Sequence, residues 1–309
     1  FERRRDGVFG QNSSSLPTVV GASAPIENLN SDRNLGLELE ISHRNKVGDF
    51  SYSLKGIASI TRRQNLKAYG QGPYGNSYDR WRNDNLTNRY QGVQFGYEGV
   101  GRYQSWEDIW SYDIYKEGNL LPGDYKYLDW NGDGEINSLD EHPFAYDQTP
   151  WMNYSLAFNC EYKGFDFSML LQGSALGSYM YDEPLYSIWG SNGGGALEQF
   201  TDRWRPTGEY SDPYDQTLSW TSGHYAFTGH SPEKNSTFNR VSTSYLRLKS
   251  IELGYTLPHK KKDAFGLRVF VNAYNLLTLS GIKYVDPEHP DSDYGRMYPL
   301  NKTLCLGLN

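Results

Sequence analysis

The 309-residue sequence predicts an all-β chain: an antiparallel transmembrane β-barrel wall with tight turns at one end and long loops at the other. Three observations predict it. Tyr (26), Gly (32) and aromatics (15%) are abundant, which favours strands and polar loops over helices. Several runs alternate apolar and polar residues with period two, as a strand with one apolar and one polar face does. The links between those runs are alternately short and long, as in outer-membrane barrels.

In chain order, Phe1-Glu2-Arg3-Arg4-Arg5 reads as the interior of a strand. From Asn34 to Arg44, Leu35, Leu37, Leu39 and Ile41 alternate with Gly36, Glu38, Glu40 and Ser42. Asn45 to Asp49 is a polar turn holding Gly48, and the return strand sets Phe50, Tyr52, Leu54, Ala58 and Ile60 against Ser51, Ser53, Lys55 and Ser59. The pair forms a hairpin. Thr61 to Gln91 has no period and is rich in Gly, Asn and Arg, so it reads as a loop. At about thirty residues it is too long for a compact soluble domain, yet ordinary on the outer side of a barrel.

Val93 to Gln104 is a further strand candidate, and Trp106 to Tyr115 a short helix. The clearest hairpin follows. Tyr154, Leu156, Phe158, Cys160 and Tyr162 share one face, the turn is Lys163-Gly164, and Phe165, Phe167, Met169 and Leu171 return. The aromatics at its ends suit an interfacial girdle. Ser174 to Arg240 is a second long, aromatic-rich loop in which Ala196 to Trp204 is predicted helical, ended by Pro206 and Gly208. Tyr245 to Leu257 and Leu267 to Leu277 are strands joined by Pro258 to Phe265. Ser280 to Pro299 is a third loop, and Thr303 to Asn309 a last strand in which Leu304, Leu306 and Leu308 alternate with Cys305 and Gly307. About nine or ten strands are expected in all, a number within the ordinary range of barrel strands.

The run Asp129-Trp130-Asn131-Gly132-Asp133-Gly134-Glu135-Ile136-Asn137-Ser138-Leu139-Asp140 has the spacing of a calcium loop. Asp129, Asn131 and Asp133 supply side-chain oxygens, Glu135 a backbone carbonyl and Asp140 the closing carboxylate. Asn137 acts through water. Gly134 at the sixth position permits the sharp turn, and the apolar Ile136 stands at the eighth. The expected ion is Ca2+, with Mg2+ as the alternative. Asp140 is shorter than the usual closing Glu, and Glu141 is a possible substitute.

Other chemistry is scarce. The 30 basic and 37 acidic residues, net charge −7, argue against a nucleic-acid surface, although Lys260-Lys261-Lys262 forms a short basic turn. Cys160 and Cys305 are expected to be free thiols on the lipid and lumen faces. Gly70 to Gly75 matches G-x-G-x-x-G but has no strand before it or helix after it, so no dinucleotide site is expected. No G-x-S-x-G elbow, zinc signature or P-loop is present, the six His have no ligand spacing, and paired carboxylates such as Asp286 and Glu288 are too common in loops to mark catalysis. No catalytic residue is expected. Tyr181, Trp189 and Trp220 are candidates for stacking on sugar rings.

Alternation alone favours a barrel over a β-sandwich only modestly, because charge on the polar face (Glu38, Glu40, Lys55, Glu161, Asp166, Glu252, Arg268) suits a wet lumen and an open surface equally. Motif order adds more. Asn34-Leu-Gly-Leu-Glu-Leu-Glu-Ile, Gly123-Asp-Tyr-Lys-Tyr-Leu-Asp-Trp-Asn-Gly-Asp-Gly-Glu-Ile-Asn137, Tyr162-Lys-Gly-Phe-Asp-Phe-Ser-Met-Leu-Leu-Gln-Gly173, Tyr245 to Pro258, Asn272-Ala-Tyr-Asn-Leu-Leu277 and Asp286-Pro-Glu288 stand in one order. From Asn34 onward the chain resembles the C-terminal part of the SusC/RagA-type TonB-dependent outer-membrane transporters of Bacteroidetes.

The resemblance implies a plugged barrel of about 22 strands, with residues 1–309 in its C-terminal portion and the plug, the TonB-contacting region and the early strands elsewhere. It implies a SusD-like lipoprotein lid, contact with membrane lipid or lipopolysaccharide, and TonB-driven import of oligosaccharides. The alternatives are a peptide-importing member of the same family and a secreted calcium-binding β-sandwich, either a carbohydrate-binding module or a glycoside hydrolase.

Overall fold

A computed structural model describes residues 1–11, 18–21, 25–69, 82, 85–112, 114, 118–181, 183–188, 196–227, 232–233, 235–258, 266–289 and 300–309. Its strands in chain order are β1 (Glu2–Gln11), β2 (Ile26–Val47), β3 (Phe50–Lys67), β4 (Gln94–Gly96), β5 (Gly99–Arg102), β6 (Tyr125–Tyr127), β7 (His142–Ala145) and β8 (Met152–Tyr162). They continue with β9 (Phe165–Ala175), β10 (Ser178–Met180), β11 (Arg205–Pro206), β12 (Trp220–Thr221), β13 (Arg240–Ser242), β14 (Tyr245–Thr256), β15 (Arg268–Ser280) and β16 (Thr303–Leu308).

Eight of these strands form one sheet in the order β1-β2-β3-β8-β9-β14-β15-β16, with every neighbouring pair antiparallel. The sheet is an open wall whose edges are β1 and β16. Along β2, Leu37, Leu39 and Ile41 are 67%, 52% and 61% exposed, and along β16 Leu304, Leu306 and Leu308 are likewise uncovered. The other sheets among the described residues are two-stranded ladders, so no second sheet covers this aliphatic face. A sandwich buries such a face to gain roughly 25 cal/mol per Å². A barrel turns it to lipid. The uncovered face fits a barrel wall and not the sandwich alternative.

The opposite face carries charge in pairs. Lys55 Nζ lies 2.8 Å from Glu40 on the adjacent strand, and Arg268 reaches both Asp166 and Glu252 across three strands. A register shift at Leu248–Ser250 against both neighbours of β14 changes the alternation. Arg247 and Glu252, an odd and an even position, therefore face the same side: Arg247 is level with Gln172 and Glu252 binds the partner of Asp166, with both partners on one face of β9.

Strand β2 is 22 residues long, about twice the 9–11 residues that cross a membrane. Its upper half projects beyond the lipid zone, where Asp32 pairs with Arg5 of β1 and Arg63 of β3. For the same reason β3 runs on to Lys67, past the expected end at Ile60. Thr61-Arg62-Arg63-Gln64-Asn65 has no hydrophobic period because neither face meets lipid there, but its backbone still pairs with β2.

The remaining strands belong to the loops. Val93 to Gln104 is not a wall strand. It is split into β4 and β5, which pair with β7 and β6. The predicted helix at 106–115 is shorter, Trp106–Ser111, capped by Ser105 Oγ accepting the Asp108 N–H. The predicted helix at 196–204 is only a 3-10 turn, Glu198–Thr201, whose N-cap position holds Leu197 and has no side-chain cap. Gly70–Gly75 and Lys260–Lys262 lie outside the described residues. Cys160 and Cys305 are free thiols.

Candidate functional site

Most of the buried apolar side chains lie in the loops. Tyr103, Leu121, Tyr125, Tyr127, Phe200 and Trp204 are each at most 5% exposed. Tyr125 and Tyr127 of β6 meet Phe238 edge-on at 4.8 and 5.7 Å, and Tyr97, Ile136 and Ala226 close the cluster. The Tyr127 hydroxyl accepts the Glu233 N–H at 2.6 Å, so the cluster is also polar-satisfied at its edge. Gly123 stands against this core with φ +94°, and a Cβ there would overlap the Trp204 side chain. Only glycine fits.

The calcium-type loop is mounted directly on this core. Ile136, its eighth residue, packs onto the Tyr125–Tyr127–Ala226 cluster. Gly132 and Gly134 turn the chain with φ of +76° and +87°. Asp129 sits at the centre of the turn: Oδ1 accepts the Gly132 and Asp133 N–H groups at 2.7 and 3.2 Å, and Oδ2 accepts Gly134 N–H at 2.7 Å. Asn131 Oδ1 accepts from Asp133 N–H, and Asp133 Oδ1 from Glu135 N–H, at 3.0 and 2.9 Å.

Asp140 ties the loop together by hydrogen bonds to both of its ends. Its Oδ1 accepts Trp130 and Asn131 N–H at 2.9 and 3.3 Å, and Oδ2 accepts Asn137 N–H at 2.8 Å. Asn137 caps the 3-10 turn Ser138–Asp140 by accepting Leu139 N–H. Asp140 is 1% exposed, and that burial pushes its carboxyl upward. Burial pushes Asp129 upward too, but the backbone N–H groups of Gly134, Gly132 and Asp133 outweigh it and hold the carboxyl below its usual range. Among the described residues no three His, Cys, Asp or Glu converge as a ready cage. The donor types suit a hard cation, while their present directions are set by backbone amides.

Loop closure also positions aromatics. Trp130, the second loop residue, stacks on His142 just beyond the loop, centroids 3.7 Å apart and planes 4° from parallel. Of the sugar-stacking candidates, Tyr181 and Trp220 are half-buried and Trp189 lies outside the described residues. Tyr181 Oη donates to Lys283 O and accepts from Lys283 N–H, both at 3.1 Å, and its ring packs between Tyr179 and Tyr284. Trp220 meets Phe227 edge-on at 5.6 Å. Tyr181 and Trp220 thus pack against different aromatic neighbours.

Sequence reasoning missed one charged cluster. Arg247, 1% exposed, binds Asp286 and Glu288, and Lys249 adds a second cation to Glu288 at 3.3 Å. The only signal was an Arg on a strand's polar face together with an acidic pair some forty residues later, with nothing to bring them together.

No protein-family model matches the chain. It is 27% identical over 322 residues to TonB-dependent receptor P3 of Formosa agariphila, covering 95% of this chain and 30% of the receptor. It is 25% identical over 320 residues to TonB-dependent receptor SusC of Bacteroides thetaiotaomicron, covering 100% of this chain and 29% of that protein. The chain therefore spans just under a third of the length of the curated relatives it matches. The RagAB peptide importer in its closed-closed state superposes with a TM-score of 0.66 at 17% identity, over 99% of this chain and 32% of that one. The open-open state gives 0.64 at 18% identity. That likeness is one of fold.

Proposed function

We propose that this chain, homologous over nearly its whole length to TonB-dependent receptors of the SusC type, forms part of the barrel wall and outer loops of an outer-membrane importer. The observation that carries the reading is an eight-stranded antiparallel wall with an uncovered aliphatic face, a charge-paired opposite face and a packed aromatic loop region at one end. It is a transport protein and not an enzyme.

The cargo we propose is an oligosaccharide, captured beneath a SusD-like lipoprotein lid and moved at the expense of TonB. In support, the loops are rich in aromatic side chains, which present flat apolar faces with polar edges. Tyr181, Trp189 and Trp220 are the proposed stacking residues, and Trp110 and Trp130 are further exposed aromatics outside the wall strands. We propose that Asp129, Asn131, Asp133, Glu135, Asn137 and Asp140 hold Ca2+, or Mg2+ in its place, which stiffens the loop on its aromatic base.

The test is purification of the full-length transporter from native outer membranes in mild detergent, with mass spectrometry of what accompanies it. A stoichiometric surface lipoprotein that binds glycans is expected. A lipoprotein that binds peptides only would move the cargo to peptides, and a detergent-independent protein travelling alone would sink the reading.

A further inference from the structure

On β2 the outward face is aliphatic at Leu35, Leu37, Leu39 and Ile41, half-buried at Leu35 and exposed from Leu37 on. Ile60, level with Leu37, is the last aliphatic residue of β3 on that face, and the next residue on the same side is Arg62, level with Leu35. One step of two residues along a strand is roughly 6.7 Å, so the Arg62 backbone stands one step above Leu37 and Ile60, level with the half-buried Leu35. Below it, Leu37 to Val47 is eleven residues, the span of a tilted strand through the hydrocarbon core. Arg62 is therefore at headgroup depth, on the side of the long loops.

The guanidinium lies over two aromatic rings there. Its Cζ lies 3.6 Å from the Tyr90 ring centroid and 4.0 Å from that of Trp151. Trp151 is in turn braced edge-on by Tyr146 at 4.9 Å. Neighbouring arginines are already engaged: Arg33 with Glu2 and Gln64, Arg4 with Asp6, Arg63 with Asp32. Arg62 differs from them. Among the described residues it has no carboxylate partner, and its buried Nε has no hydrogen-bond acceptor. Stacking occupies the two faces of a guanidinium and leaves its N–H edge, which matches a phosphate in two-point geometry.

We propose that Arg62, clamped between Tyr90 and Trp151, binds a phosphate of an outer-leaflet glycolipid and fixes the barrel's depth and rotation in the membrane. This rests on the outer-membrane reading above. The experiment uses the full-length transporter in nanodiscs containing either phosphorylated or enzymatically dephosphorylated lipid A, with native mass spectrometry of the lipid retained after delipidation. Inorganic phosphate alone serves as competitor. Wild type should retain phosphorylated lipid A about tenfold better than R62A, one charge-assisted contact's worth, and better than it retains the dephosphorylated form. R62K keeps the charge without the fork, and W151A keeps the fork without its clamp; both should fall between. Heat-modifiable migration on gels shows that each variant is still a folded barrel.

Equal retention by folded R62A overturns the proposal. Displacement by millimolar inorganic phosphate would also overturn it, in favour of a free-phosphate site. Failure of the wild type to need detergent at all would instead remove the outer-membrane reading.

Discussion

Arg247 Nη2 donates to both carboxylate oxygens of Asp286, at 2.9 and 2.7 Å, thirty-nine residues away along the chain. The same guanidinium donates Nη1 to Glu288 at 2.5 Å and Nε to Thr278 Oγ1 at 3.0 Å. The loop after β15 is thereby tied back onto the polar face of β14. The arginine side chain is 1% exposed, whereas its two acidic partners are 24% and 22% exposed. Removing one partner of a buried pair costs more than the pair is worth, because the other is left charged and unpaired.

Arg247→Ala should therefore destabilise the outer half of the barrel by about 3–5 kcal/mol. Arg247→Lys should recover only part of that, since an ammonium cannot make the two-point contact. Thermal unfolding of the detergent-solubilised full-length protein measures both. Equal stability of R247A and wild type would show that the loop is not held by this cluster.

Gly123→Ala should cost roughly 2–4 kcal/mol, from the left-handed backbone and the overlap with Trp204 together. The damage should be local to the loops. Limited proteolysis should cut the loop region faster while the wall, read by heat-modifiable migration, stays intact.

Asp108 accepts Lys126 Nζ at 2.8 Å and the Gln104 backbone N–H at 3.0 Å. The lysine contact, then the Gln104 N–H, holds its carboxyl below the ordinary 3.8. A carboxyl depressed in the folded state stabilises it above the unfolded value and loses that contribution as pH falls through the lower, folded value. Loop stability should thus be level through neutral pH and drop by about 1 kcal/mol as pH falls below 3.8. In Asp108→Asn that part of the acid-side decline should be missing, as followed by hydrogen exchange of the Trp106–Ser111 helix.

Adding Ca2+ to metal-stripped protein should slow exchange of the Gly132, Asp133 and Gly134 amides and change Trp130 fluorescence, since Trp130 stacks on His142 at the loop's base. Asp129→Asn should weaken binding by about tenfold or more, because a hard cation prefers a charged oxygen. No calorimetric heat and no spectral change at millimolar Ca2+ would show that the backbone amides are the loop's only ligands.

The wall was legible in the sequence wherever one face meets lipid. Leu37-x-Leu39-x-Ile41 and Tyr154 to Tyr162 alternate because a membrane imposes one polarity on each side of a strand. Above the lipid that constraint stops. The continuation of β3 through Arg62 and Arg63 therefore carries no strand period, and Val93 to Gln104, strand-like in composition, joins the loop ladders. The Asp129–Asp140 turn was also legible, because its contacts span at most eleven positions and its glycines mark the bends.

By itself the sequence determined the fold class, the aliphatic belt, the free cysteines and the turns of the Asp129–Asp140 loop, all of which depend on neighbours in the chain. Only the tertiary structure decided that Arg247 meets Asp286 and Glu288, that Asp32 bridges Arg5 and Arg63, and that Arg62 lies between Tyr90 and Trp151. Each of those contacts joins residues 27 to 89 positions apart. Strand register sets which wall residues stand level, in β14 through a shift at Leu248–Ser250 that no alternating pattern reveals, and the folded loops bring Asp286, Glu288, Tyr90 and Trp151 to them. Local sequence carries periodicity, but a long-range charge pair forms only after the backbone ladder has chosen which residues stand level.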